Sequence, residues 1–190
     1  MTQLATAQTD ALPIRTETFV DIDAIAQPLG GGAQQPAQEF SQLSSRLCDE
    51  RIYQQWIATW LEALAPQLSP IRAYEIGLKL TTDNEIQQLN TDYRQKNQPT
   101  DVLSFAALET ELPGREQLNR THPLYLGDII ISVETAARQA SSACHSLERE
   151  IAWLTSHGLL HLLGWDHPNE SSLEIMLSKQ AELVALVEIP

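Results

Sequence analysis

Apolar residues recur at helical and strand spacings through most of this chain, beyond an N-terminal stretch of different composition. Ile52, Trp56 and Trp60 repeat every four residues with other apolar positions between them, which predicts an amphipathic helix that runs to about Ala65. Over residues 74–80, apolar and polar positions alternate instead. That alternation predicts a strand with one side toward a core and the other toward solvent.

Helices and strands follow one another down the remaining sequence. Thr82 followed by Glu85 has the form of a capping box, Ser132 and Ser146 are N-cap residues for two later helices, and Pro168 opens the last one. The predicted elements are a helix over 82–93, strands over 101–105 and 124–131 on either side of a loop over 107–123, and helices over 132–141, 146–163 and 168–187. This order predicts an α+β fold, in which a single small mixed sheet is covered by helices and its central strand is buried.

The first 40 residues have a composition of their own. They are rich in Gln, Ala, Thr and Pro, and Gly30-Gly31-Gly32 is typical of a linker. The sequence therefore predicts a flexible N-terminal extension over 1–40 and a single domain over 41–190. Met1–Asp10 has neither Lys nor Arg nor an apolar run long enough for a signal peptide, and no segment approaches the roughly 20 apolar residues of a membrane span. We expect no membrane partner.

The charge balance limits what this chain can bind. It carries 12 Lys and Arg against 25 Asp and Glu, a net charge of −13, while 43% hydrophobic residues suffice for a core. A protein this acidic does not coat nucleic acid by bulk attraction, so any contact with RNA needs a local basic spot. Cys48 and Cys144 stand in unlike contexts, which predicts two packing thiols in a reducing compartment, the cytoplasm.

The most informative stretch contains three histidines. His157 and His161 stand one helical turn apart, so their imidazoles leave the same face about 5–6 Å apart, and two such nitrogens can hold one Zn²⁺. Gly164 suits the left-handed turn that ends a helix, and this turn can bring His167 back toward the same ion. Three neutral imidazoles leave a fourth position open, as in catalytic zinc sites, although ligand type alone also allows Ni, Cu or Fe.

The same spacing of histidines occurs in metzincin proteases, with one difference. Those enzymes carry Glu directly after the first His as general base, whereas this chain has Gly158, so a protease of that mechanism is disfavoured. Asp166 is either an orienter of a ligand imidazole or an aspartate of the turn, and the residues leave both open. His122 and His145 have no such neighbours in sequence and are expected at the surface.

A second stretch, Asn90–Phe105, concentrates positive charge in a chain that has little of it. Arg94 and Lys96 lie here, and a guanidinium can bind two phosphate oxygens at once, which suits an anionic substrate. By residue type alone, Arg94 is more often a surface or salt-bridged arginine. Asp101 and Ser104 are by default a turn residue and a strand residue.

Three blocks together resemble the YbeY family of bacterial rRNA maturation factors and single-strand endoribonucleases. Asn90–Phe105 is similar to its Asn-x-x-Tyr-Arg and Pro-Thr-Asp-Val-Leu-Ser-Phe block, Leu126–Ile129 to its Leu-Gly-Asp strand, and His157–His167 to its His-Gly-x-Leu-His-Leu-x-Gly-Tyr-Asp-His motif. The blocks stand in the family's order within residues 72–187. Trp165 takes the place of the tyrosine common in the last motif, which affects a phenolic hydrogen bond only.

The resemblance implies one zinc ion per chain, held by His157, His161 and His167, and catalytic roles for Arg94 and His157. It implies single-stranded rRNA as substrate, maturation of the 3′ end of the small-subunit rRNA, and ribosome quality control. The expected partners are the ribosome or its small subunit, with a ribosomal protein or a GTPase as protein partner. Further candidates for contact with the substrate or support of the ligands are Lys96, Ser104, Asp128 and Asp166.

Metal-assisted cleavage of a phosphodiester is the resulting hypothesis. Zn²⁺ lowers the pKa of a bound water toward about 7, and Arg94 would neutralise charge on the scissile phosphate. No general base is evident, so attack by water and attack by the RNA 2′-hydroxyl both stay open; a 2′,3′-cyclic phosphate product would select the second. The alternatives are a non-catalytic ribosome-assembly factor with a structural zinc and a zinc amidase.

Overall fold

A four-stranded mixed sheet organises the computed structural model, which describes residues 13–22, 47, 49–109 and 114–190. The strands are β1 (Arg15–Asp21), β2 (Ala73–Thr81), β3 (Val102–Ala106) and β4 (Leu124–Ser132). Their order across the sheet is β1-β2-β4-β3. β1, β2 and β4 run parallel, and β3 pairs antiparallel with β4. The predicted fold class and the internal position of β4 are therefore confirmed, and β3 is an edge strand.

Helices cover the sheet, and the long ones begin at a side chain that accepts a backbone N–H. They are α1 (Glu50–Leu64), α2 (Asp83–Arg94), α3 (Arg115–Leu118), α4 (Val133–Ser142), α5 (Leu147–Leu162) and α6 (Glu170–Val184), with a 3₁₀ turn over Ala107–Glu109. The predicted caps Thr82, Ser132 and Ser146 are confirmed, because each accepts from the N–H three residues later. The Glu85 carboxylate pairs with Lys79 at 2.7 Å instead of completing a capping box. Among the described residues, no helix combines the length and apolar character that crossing a membrane requires.

One face of the sheet carries the core. Alternate residues of β2, from Tyr74 to Leu80, are at most 2% exposed and belong to one apolar cluster with residues of α1 and α5. α1 is also tied to the C-terminal part of the chain, since the buried Trp60 indole N–H donates to the Leu183 carbonyl at 2.7 Å. The core therefore lies between the sheet and these helices, as the alternation along β2 predicts.

The opposite face of the sheet is partly open. The α2 residue Tyr93 packs against Phe105 of β3, with ring centroids 5.0 Å apart. Further across, the Asp128 side chain lies over Gly77, where a Cβ atom would come within 2.0 Å of Asp128 Oδ1. Gly77 thus leaves room for a carboxylate to lie flat on the sheet.

α5 approaches the core face of the sheet at a glycine. A Cβ atom on Gly158 would lie 2.7 Å from Ile129 Cγ2 and 3.1 Å from Ser104 Oγ. These atoms belong to β4 and β3, so residue 158 faces the sheet and lies in close contact with both strands. Such short Cβ contacts require a shift in the packing. The position therefore accepts a glycine and leaves no space for the glutamate that metzincins carry there.

The N-terminal extension predicted from composition contains a strand. Within 1–40, residues 15–21 form β1, and Thr16, Thr18 and Val20 take the half-buried positions beside β2. The segment shows no alternation of polar and apolar residues, and Phe19 is exposed; its only strand signal is the high β-propensity of Thr16, Thr18, Phe19 and Val20. The Gly30-Gly31-Gly32 stretch lies outside the described residues, and the division at residue 40 stays a prediction.

Three smaller expectations differ from the structure. The predicted loop over 107–123 contains the 3₁₀ turn and α3, and the last helix begins at the N-cap Asn169, whose capping box with Ser172 is complete. Cys144 is exposed in the tight turn between α4 and α5, with φ 56°, so the prediction of a packing thiol is wrong there. Cys48 lies outside the described residues.

Gly158→Ala is expected to lower the free energy of unfolding by roughly 1–3 kcal/mol, because the added methyl group overpacks the contact with the sheet. Chemical denaturation of both proteins measures the loss. In an Ile129→Ala background the loss should be smaller, since the methyl group then meets the space left by Ile129. Strictly additive effects of the two substitutions would contradict this packing account.

Candidate metal centre

The three histidines of the sequence motif come together at the C-terminal end of α5. His157 and His161 project from the same face, and their Nε2 atoms lie 3.1 Å apart. Gly164, with φ +87°, reverses the chain, and the N–H of Trp165 returns to the Leu160 carbonyl at 3.0 Å. His167 follows this turn and completes the group.

The donor atoms suit a single metal ion. One ring nitrogen from each of the three histidines lies within 4.8 Å of the others, and all three side chains are half-buried. Two nitrogens bound tetrahedrally to one zinc at about 2.05 Å would be about 3.3 Å apart, close to the observed pair. Within the described ranges, this is the one such cluster of His, Cys, Asp or Glu side chains.

The surroundings of two of these imidazoles lower their pKa and so favour the neutral form. Burial is the largest cause that lowers the pKa of His157, and the neighbouring His161 lowers it further. Burial also lowers the pKa of His161, with further contributions from His167 and from Arg94. A lowered pKa favours the unprotonated ring, which is the form that binds a metal.

Gln180 fixes the orientation of His157. This α6 side chain is fully buried; its Nε2 donates to the Trp153 carbonyl at 2.8 Å, and its Oε1 lies 3.2 Å from His157 Nδ1. Because the amide nitrogen is committed to the carbonyl, Oε1 faces the ring and accepts the proton of Nδ1. The lone pair of His157 is then on Nε2, the atom that faces His161. Metal-binding histidines are commonly oriented in this way by a second hydrogen bond.

Arg94 supplies positive charge beside the histidines. It is the last residue of α2, which ends at Gln95 in the left-handed conformation with φ 59°. Its exposed guanidinium acts electrostatically on His161 and forms no hydrogen bond or ion pair with any other described residue. It is therefore free to receive an anion at the metal centre.

A single cleft joins these groups. It has a volume of about 1090 Å³ and is lined by residues that include Arg94, the three histidines, and consecutive residues of β3 and the turn after it. Consecutive residues can line it because β3 is an edge strand. The volume is at the upper end of the range of about 300–1,000 Å³ usual for ligand pockets.

Of the four remaining predicted site residues, three line the cleft and one does not. Ser104, Asp128 and Asp166 line the cleft, whereas Lys96 does not. Asp166 accepts from the backbone N–H of His167 at 2.8 Å, so of its two open roles the structure supports the aspartate of the turn. Asp128 interacts with the Tyr125 hydroxyl; burial first, and then this hydrogen bond, raises the pKa of Tyr125.

Sequence reasoning missed Asp101 as well as Gln180. Asp101 lines the cleft and accepts from Gln139 at 3.0 Å, from the Val102 N–H at 2.8 Å and from Thr100 at 3.1 Å. Burial alone raises the pKa of Asp101, but these hydrogen bonds outweigh it and the net pKa is lowered. The residue lies in a motif block, yet only the fold shows that its carboxylate is buried and engaged.

The two other histidines lie outside the cleft, as expected. His122 is exposed beside Thr121, and His145 is partly exposed with its Nε2 2.9 Å from Glu150.

Known proteins resemble this chain over most of its length. The family model described as Endoribonuclease YbeY matches residues 39–188. A protein named Endoribonuclease YbeY from Nostoc sp. is 56% identical over 137 residues, which cover 72% of this chain and 74% of that protein. Its namesake from Synechococcus elongatus is 51% identical over 150 residues, covering 75% and 84%. A solution structure of a Thermotoga maritima protein aligns over 88% of both chains at 23% identity, with a TM-score of 0.42.

Gln180→Leu is expected to weaken zinc binding by about 10–100-fold, because the His157 ring loses the partner that sets its tautomer. Competition with a chromogenic chelator measures the affinity. Met176→Ala is the matched control, since Met176 is a buried residue of the same helix. It should lower the melting temperature with less effect on zinc affinity. Gln180→Glu, which keeps an acceptor for Nδ1, should bind zinc better than Gln180→Leu.

Without metal, the protein is expected to lose stability as the pH falls below about 6.5. The pKa values of His157 and His161 are lowered in the folded state, so the unfolded chain takes up more protons in that window. The stabilisation is complete above the unfolded pKa and disappears as the pH falls through the folded pKa. Melting temperatures of chelator-treated protein between pH 8 and pH 5 test this, and His161→Gln should flatten the dependence. An unchanged slope in that variant would contradict it.

Proposed function

The chain belongs to the YbeY endoribonuclease family, and from this premise we propose that it cleaves single-stranded rRNA with one zinc ion per chain. The observation that supports this most directly is the Arg94 guanidinium, which has no partner among the described residues and lies beside three convergent imidazoles in one cleft. A cation that no described carboxylate neutralises is suited to a phosphate.

His157, His161 and His167 are the residues that would hold the metal. Their nitrogen donors match the ligand chemistry of zinc, and three protein ligands are typical of catalytic zinc sites. Zinc bound there would supply a Lewis acid that makes water reactive near neutral pH. His157 contributes as a ligand held in one tautomer by Gln180.

Arg94 would bind and stabilise the scissile phosphate. A guanidinium can donate two parallel hydrogen bonds to phosphate oxygens, and its charge opposes the negative charge that grows during cleavage. The end of α2 holds it in place, because the N–H groups of Gln95 and Lys96 return to carbonyls of the helix. The positive charge of Arg94 gives RNA a local binding site, whereas the net charge of −13 repels RNA from the rest of the surface.

The carboxylates of the cleft give limited support for a side-chain base. Asp101 is held by three hydrogen bonds, Asp166 by the His167 N–H, and Asp128 by Tyr125. Glu109 also lines the cleft and is exposed, so it is the carboxylate there that is left as a candidate base. Gly158 faces the sheet and offers no proton acceptor. Water and the RNA 2′-hydroxyl therefore both remain nucleophiles in this proposal, and the phosphate end of the product distinguishes them.

The proposed setting is maturation of the 3′ end of small-subunit rRNA and ribosome quality control. Single-stranded RNA suits an acidic enzyme, since it can be recognised through a few local contacts. Contact with the small subunit, helped by a ribosomal protein or a GTPase, would deliver the substrate. These partners place the proposed activity in the cytoplasm.

One observation favours a zinc amidase as second candidate. The free edge of β3 lines the cleft beside the histidines, where an extended peptide could pair with it by strand addition. Arg94 would then bind a substrate carboxylate. Turnover of peptides without turnover of RNA would select this activity.

Arg94→Ala and His161→Ala are both expected to lose cleavage activity, but only His161→Ala should also lose the metal. Arg94→Ala should keep about one zinc per chain and lose about 100-fold in kcat/KM on a single-stranded rRNA fragment, while Arg94→Lys retains part of the activity. His161→Ala should lose both zinc and cleavage. Elemental analysis and single-turnover cleavage measure the two properties.

Equal residual cleavage by wild type and both variants would identify a contaminating nuclease. If wild type then held full zinc, a non-catalytic ribosome-assembly factor would be the better description. Lys96→Ala is a suitable control for loss of a nearby positive charge, because Lys96 does not line the cleft.

A further inference from the structure

An aromatic side chain stands in the cleft immediately before the proposed phosphate-binding arginine. Tyr93 is 68% exposed, more than any other aromatic residue that the structure describes, whereas Trp60 and Tyr74 are buried. Tyr93 lines the same cleft as Arg94 and the histidines. Its hydroxyl forms no hydrogen bond with any residue in the described ranges, so core packing does not account for its position.

Phe105 contacts the Tyr93 ring, which stays 68% exposed. The two centroids are 5.0 Å apart and the ring planes are inclined at 73°, an edge-to-face contact. Phe105 belongs to β3 and is itself half-buried on the sheet. The pair thus fixes the tyrosine ring and leaves much of its surface open to the cleft.

The end of α2 makes this surface rigid. The buried Asn90 donates to the Gln98 carbonyl at 2.8 Å, and the Lys96 N–H returns to the Asn90 carbonyl at 3.2 Å. Tyr93 and Arg94 are therefore presented together from a helix end whose following loop is tied back to it. A ligand that occupies both residues must carry a flat apolar surface one short link away from an anion.

We propose that Tyr93, supported by Phe105, is a stacking platform for a nucleobase of the single-stranded RNA whose phosphate is bound by Arg94. This inference rests on the proposed function and adds the subsite that holds the base. A nucleotide has the required combination of a planar ring and a neighbouring phosphate. Stacking on an aromatic ring tolerates every base, so the platform selects unpaired nucleotides and not a sequence. A base within a duplex is already stacked and does not reach the ring.

The test compares binding of two single strands of equal length and charge, one an ordinary RNA and the other abasic at every position. Fluorescence anisotropy is recorded on the zinc-loaded protein, with both strands made as 2′-O-methyl phosphorothioates so that they keep their charge and resist cleavage. Tyr93→Ala should weaken binding of the ordinary RNA by about tenfold, the scale of one base–aromatic stack, and leave binding of the abasic strand unchanged. Tyr93→Phe should keep the wild-type preference for bases.

Ile175→Ala is the control, because Ile175 is 60% exposed on α6 and does not line the cleft. It should match wild type with both strands. Equal affinity of wild type and Tyr93→Ala for the ordinary RNA would overturn the platform, as would an equal loss with both strands. Cleavage of unmodified RNA by the zinc-loaded wild type is scored separately and reports on the proposed function, so the failure of either idea can be recognised.

Discussion

The close contact between α5 and the sheet sets the geometry of the rest of the centre. Because residue 158 is a glycine pressed against Ile129 and Ser104, the helix lies near the strands, and the preceding residue turns toward the cleft. His157 and His161 then share the outward face of the same helix, and the turn at Gly164 adds His167. One helix thus serves as part of the core on one side and as a holder of metal ligands on the other. A larger residue at position 158 would move the ligands together with the packing.

The site presents a basic side chain, although the chain as a whole is acidic. The chain is strongly acidic, but the carboxylates nearest the histidines are engaged by backbone and side-chain donors, while Arg94 is left without a described partner. Hydrogen-bonded carboxylates have less capacity to attract the arginine, and neutral imidazoles do not repel a metal ion. The cleft therefore offers one basic side chain to an anion, while its carboxylates, Glu109 aside, are committed to hydrogen-bond donors.

Local patterns in the sequence predict most of what is local in the structure. The alternation in β2, the caps at Thr82 and Ser132, and the shared helical face of His157 and His161 follow from spacing alone. Gln180 could not be found in that way, because it lies 23 residues from His157 and meets it only through the packing of α6 on α5. Asp101 is similar, since its burial depends on the contact with Gln139 of α4. Residues 15–21 were missed for a different reason: their polar and apolar residues do not alternate, and the surrounding composition is that of a linker.

β1 also determines what the edges of the sheet offer to other proteins. It pairs along the whole of its length with β2 and is held by α1, where Gln54 donates to the Thr18 carbonyl at 3.4 Å. The region matched by the family model begins at residue 39, after this strand. A polypeptide trimmed to that region would expose the backbone of β2, and an uncovered edge next to an apolar face invites intermolecular sheet formation. The segment before the matched region therefore makes β2 an internal strand and itself forms that edge of the sheet, in a part of the sequence whose composition is that of a linker.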